Sequence, residues 1–149
     1  VLDAATLSGV AALWKQSGHE ISVTVEGGSM LPSLHPGDQL QVRFTDDFIA
    51  GDVVMFLWPG GVGLHRVIAA GRDVVITQGD AMPFPDPPLR RSDILGVAVG
   101  APPAPARLRR FSSVAKLHVP SSALVVRALL AARRAVAQLR GRAVTPAGR

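Results

Sequence analysis

The chain has 149 residues with 48% apolar content, enough for one domain with a genuine core and too apolar for wholesale disorder. It contains no cysteine, which excludes disulfides, thiolate metal sites and cysteine nucleophiles and leaves the compartment open. Residues 1–100 carry six Lys/Arg against all eleven Asp/Glu, whereas residues 101–149 carry ten Lys/Arg and no acid, an acidic body followed by a basic tail.

Residues 3–17 place Leu7, Val10, Ala11, Leu13 and Trp14 at spacings of three and four, the pattern of a short amphipathic helix with Asp3 or Thr6 as N-cap and Gly18 as stop. From Ile21 the period becomes two, with Ile21, Val23 and Val25 alternating with polar residues until Gly27-Gly28, so a strand delivers Ser29 into a turn. Pro32 and Pro36-Gly37-Asp38 make a tight connection to a strand at Leu40–Phe44, and Ala50-Gly51-Asp52 turns the chain into an apolar strand from Val53 to Trp58. After Pro59-Gly60-Gly61, strands follow at Leu64–Ala69 and Val74–Thr77.

Residues 79–92 form a loop with four prolines, Pro83, Pro85, Pro87 and Pro88, too poor in backbone donors for a central strand. A closing strand runs from Ile94 to Val99. The spacing therefore predicts a mainly β domain over residues 1–100, with a helix at 3–17 and a β core at 21–100. A Pro/Ala linker at 101–106 and a basic tail at 107–149, containing a helix at 122–140, complete the chain. No run of about 18 apolar residues occurs, so nothing here spans a bilayer as a helix. The start lacks the charged and apolar regions of a signal peptide. The expected location is cytoplasmic or peripheral at a membrane, with an anchor upstream of Val1 left open.

Three segments stand out together: Gly27-Gly28-Ser29-Met30-Leu31-Pro32-Ser33, then Leu64-His65-Arg66-Val67-Ile68, then Gln78-Gly79-Asp80 with Asp86 six residues on. Singly each is ordinary turn or strand chemistry. In this order, with Gly51-Asp52-Val53-Val54 between the first two and Asp93-Ile94-Leu95-Gly96 closing, they resemble the signal peptidase I family, specifically its Ser-His branch of endoplasmic-reticulum and archaeal type. The resemblance covers roughly residues 21–100.

It implies the signal peptidase/LexA-like β fold, here with an N-terminal helix and a C-terminal basic helix, and a serine endopeptidase that cuts a signal-like or leader peptide after a small residue. Ser29 is then the nucleophile and His65 its general base, since a serine hydroxyl needs a neighbour able to take its proton and imidazole titrates near neutrality. Asp86 is the first choice for the carboxylate that orients His65, and Asp80 supports the loop or His65. The backbone amides of Ser29 and Gly28 supply the oxyanion hole, while Met30, Leu31 and Met55 are candidate substrate-pocket residues. Many members of the family have a serine where this chain has Gly27, which removes one oxyanion donor and costs about 10²–10³ in rate.

No lysine stands at the position where the other branch of the family has its base; the two lysines are Lys15 and Lys116. His19, His35, His65 and His118 show no metal-ligand spacing, so neither metal nor cofactor is expected. The partner expected is a peptide or protein bearing a leader or signal segment, with peripheral membrane contact through the basic tail and no nucleic acid. Two alternatives are a catalytically weak or inactive peptide-binding module of the same fold and a LexA-like self-cleaving regulatory domain.

Overall fold

The computed structural model describes residues 4–59, 61–106 and 108. Chain contacts divide the protein into Val1–Val119 and Pro120–Arg149. The second unit, with the expected helix at 122–140 and most of the basic tail, lies outside the described residues.

The first unit opens with α1 (Ala4–Ser17). Thr6, one of the two expected caps, falls inside this helix rather than at its start. The helix ends in a Schellman turn: His19 N–H donates to the Trp14 carbonyl at 3.0 Å and Gly18 N–H to that of Lys15 at 3.4 Å. Gly18 sits at φ +61°, the left-handed conformation that glycine adopts without a Cβ penalty.

Seven strands follow: β1 (Glu20–Thr24), β2 (Gln39–Phe44), β3 (Val53–Trp58), β4 (Gly61–Ala70), β5 (Val74–Gln78), β6 (Leu89–Arg90) and β7 (Ile94–Val99). They form one antiparallel sheet in the order β1-β2-β7-β3-β4-β5-β6. The mainly β expectation therefore holds, with three refinements. β4 starts at Gly61, three residues before Leu64, because the backbone of Gly61–Gly63 already pairs with Phe56–Trp58. β5 extends one residue past Thr77 to Gln78. The proline-rich loop contributes β6, two residues long and at the sheet edge, where missing donors cost no ladder bonds.

Burial follows the sequence periods. β2 alternates strictly, with Leu40, Val42 and Phe44 buried and the residues between them exposed. β3, the middle strand of the seven, is buried on both faces from Val53 to Phe56, which explains its unbroken apolar run. Val54 and Phe56 join Phe48, Val67, Val75, Leu89 and Ile94 in one core cluster. Val53 packs with Val25, Met30, Leu34, Leu40 and Ala98 in a second. Met55 packs with Ala11 of α1, Val42, Phe44 and Leu95 in a third, and Trp14 of α1 meets Phe44 edge-on at 4.8 Å between ring centroids. Beyond β7, Ala101 packs against the second cluster and Leu108 is buried. Among the described residues no helix is long and apolar enough to cross a membrane.

Candidate active site

Ser29 lies in the turn that follows β1. Gly27 reaches it at φ +68°, a backbone state in which a serine would be strained; this is a physical reason for glycine at the position where the resembling family has serine. Met30, next to Ser29, is buried in the second core cluster and anchors the turn, while the Leu34 amide closes it on the Met30 carbonyl at 3.0 Å. The Ser29 carbonyl accepts the Ala81 N–H at 2.8 Å, which ties the turn to the loop after β5.

His65 comes from β4, paired with Val54 of β3. Alternation along β4 sends Arg66 to the opposite face from His65. The His65 ring stands 5.7 Å from the Phe56 ring, centroid to centroid. Phe56 reaches it by lying across Gly63, where a Cβ would come within 2.5 Å of the ring. His65 Nε2 is 3.1 Å from Ser29 Oγ, and Nδ1 is 2.6 Å from Asp86 Oδ2. In the neutral tautomer this geometry assigns, Nδ1–H donates to the carboxylate and Nε2 accepts from the serine hydroxyl.

The two aspartates have different surroundings. Asp86 is mostly buried and holds His65. Asp80 is fully buried and takes Arg66 in a fork, Nε to Oδ1 at 2.9 Å and Nη2 to Oδ2 at 2.6 Å. The third Arg66 nitrogen donates to the Gly51 carbonyl at 2.8 Å, so one buried guanidinium joins the turn before β3 to the loop after β5. Asp80 thus braces the scaffold beneath the site and does not contact the imidazole.

Gly79 sits between the two loops. A Cβ there would fall 2.6 Å from the Ser29 carbonyl oxygen and 3.1 Å from His65 Nε2, so only glycine lets the loop after β5 pass this close to Ser29 and His65. Sequence reasoning assigned no such role to Gly79, to Arg66 or to Thr77. Thr77 Oγ1 donates to Asp86 Oδ2 at 2.6 Å.

An apolar cavity of about 560 Å³ opens beside Ser29 and His65. Met30 and Met55 form part of its lining, along with Val23, Leu64 and, from α1, Val10 and Trp14. Leu31 does not line it; its side chain stands over Gly28 instead. The cavity is flanked by Thr24 and Glu26 at the end of β1 and by Val62–His65 of β4. β1 pairs with β2 alone, and β5 engages β4 only from Arg66 onward, so both flanks present backbone that takes no strand partner on one side among the described residues. The Gly28 and Ser29 amides likewise take no acceptor there.

Residues 6–99, more than half of the chain, match the family described as Peptidase S24-like. The chain belongs to that family. A comparison with curated proteins returned no match. Membership in the Peptidase S24-like family gives the serine-peptidase class and the LexA/signal peptidase type of β fold, and the match ends where β7 ends. Lys15, in α1, is engaged by Asp46 Oδ1 and the Ile94 carbonyl, both at 2.6 Å, away from Ser29. Lys116 lies outside the described residues. Among the described residues no group of His, Asp and Glu is arranged to hold a metal ion.

Proposed function

We propose that this Peptidase S24-like chain is an endopeptidase that cleaves a leader or signal-like segment of a peptide or protein substrate, after a small residue, by a Ser-His-Asp mechanism. The observation that carries the reading is the relay from Ser29 Oγ through His65 to Asp86, at 3.1 and 2.6 Å. His65 Nε2 takes the Ser29 proton as Oγ attacks the scissile carbonyl, and Asp86 stabilises the imidazolium that forms. The Gly28 and Ser29 amides donate to the developing oxyanion. His65 then returns its proton to the leaving amine, and water activated in the same way hydrolyses the acyl-enzyme.

A peptide substrate is supported by the unpartnered backbone of β1 and of the first half of β4 on the two sides of the cavity. An extended segment adds there as a strand, with alternate side chains directed into the apolar lining. The preference for a small residue rests on the resemblance to signal peptidases. The family match favours one second reading, cleavage within the chain itself, as in LexA-like regulatory domains. Incubating the purified chain with a library of leader-like peptides, with mass-spectrometric mapping of both peptides and protein, separates the two. Cuts in the peptides after Ala, Gly or Ser support the first; a cut only in the chain supports the second; intact peptides and protein oppose both.

A further inference from the structure

We propose that Thr77 is a positioning residue of this site, holding Asp86 in the rotamer that receives His65. The proposal rests on the peptidase reading for its kinetic consequence, while its geometric part stands without it.

Asp86 lies between Pro85 and Pro87, with Pro83 and Pro88 close by. Prolines have no N–H to donate, so this stretch has few ways to fasten itself to the sheet. Between Pro83 and Pro88 only Phe84 and Asp86 carry an amide N–H, and that of Asp86 goes to the Thr77 carbonyl at 2.8 Å. The Asp86 carboxylate is fastened to the same residue, since Thr77 Oγ1 donates to Oδ2 at 2.6 Å. Thr77 therefore grips Asp86 by backbone and side chain together.

Thr77 is well suited to the task. It pairs with Val67 of β4, two residues along from His65, so strand alternation puts the threonine and histidine side chains on the same face of the sheet. It is fully buried, and its β-branched side chain is stiff at χ1. The hydroxyl carries one proton and spends it on Oδ2, the oxygen that also faces His65 Nδ1. Rotation of the carboxylate away from the imidazole would leave the Thr77 hydroxyl buried without its acceptor, a penalty that pins the carboxylate in place. Asp86 in turn fixes the His65 tautomer whose Nε2 faces Ser29.

The test compares the full chain with Thr77→Val, which keeps the shape and removes the hydroxyl, and Thr77→Ser, which keeps the hydroxyl and removes the methyl. Two readouts are taken: the strongly downfield proton resonance of His65 Nδ1–H in ¹⁵N-labelled protein, and kcat and KM on a cleaved peptide. In Thr77→Val the resonance is expected to move or broaden, and kcat to fall about tenfold to a hundredfold, the scale of losing a hydrogen bond to a charged group, with KM unchanged. Thr77→Ser restores the resonance and most of the turnover. If Thr77→Val does not fold, Thr77→Ala carries the same comparison. A wild-type resonance and turnover in Thr77→Val overturn the proposal, as does a Thr77→Ser variant as impaired as Thr77→Val, which would make the role one of packing. Should wild type cleave no peptide at all, the peptidase reading fails, and the resonance alone decides whether Thr77 positions Asp86.

Discussion

Replacing Arg66 with Met separates the two aspartates by what each one does. Arg66 and Asp80 are 1% and 0% exposed at their side chains and share two direct hydrogen bonds. Removing the guanidinium leaves a buried carboxylate without its counter-charge and the Gly51 carbonyl without its donor. Breaking a buried pair in this way costs about 3–5 kcal/mol, a large part of the roughly 5–15 kcal/mol that holds a domain together. At about 4 °C per kcal/mol for a domain of this size, Tm falls by about 12–20 °C. The double variant Arg66→Met/Asp80→Leu, which removes both charges, recovers most of that loss. Asp86→Asn behaves in the opposite way: it melts near wild type but loses about 10³–10⁴ in turnover, because the amide no longer enforces the right imidazole tautomer. Thermal and urea unfolding followed by circular dichroism, paired with peptide cleavage below the transition, give both quantities. An Arg66→Met variant melting within about 3 °C of wild type, against the expected 12–20 °C, would refute the assignment of Asp80 to the scaffold.

Two further outcomes follow from local geometry. Gly79→Ala places a methyl 2.6 Å from the Ser29 carbonyl oxygen and 3.1 Å from His65 Nε2. The loop must retreat, at a cost of about 1–3 kcal/mol in stability and about 100-fold in the proposed cleavage as Ser29 and His65 move apart; differential scanning calorimetry and steady-state kinetics measure the two. Lys15→Met removes both an ion pair to Asp46, which is 64% exposed, and a part-buried hydrogen bond to the Ile94 carbonyl, so stability falls by about 1–2 kcal/mol, mostly from the carbonyl that loses this donor. Peptide cleavage by Lys15→Met matches wild type, because this lysine takes no part in the chemistry.

The sheet was largely legible because its strands advertise themselves by period. β2 alternates apolar and polar residues and alternates in burial to match, and the unbroken apolar run of β3 reflects a strand covered on both faces. The early start of β4 was hidden by Gly61 and Gly63, which carry no apolar signal; there the partner strand, not the side chains, dictates the conformation. Ser29, His65 and the two aspartates stood out through the order of their boxes, and the resemblance put Asp86 first as the partner of His65, yet Arg66 as the partner of Asp80 did not stand out. Asp80 and Asp86 lie six residues apart in one loop, and only the β4–β5 register decides that Arg66 takes the first while His65 takes the second. Thr77 carried no signal at all, since a threonine ending a strand is ordinary composition until the loop folds back on it. Met30 and Met55 serve the core and the cavity wall together, a double role that apolar character alone does not separate.

In the proposed peptidase, His65 and Ser29 act as one unit. The most direct measurement is kcat/KM on one cleaved leader-like peptide for wild type, Ser29→Ala, His65→Ala and the double variant. Each single substitution is expected to lower kcat/KM by at least about 10³-fold, and the double variant to be no worse than either, because residues acting as one unit are not additive. A Ser29→Ala or His65→Ala chain that cleaves as well as wild type, or losses that multiply in the double variant, would contradict the account.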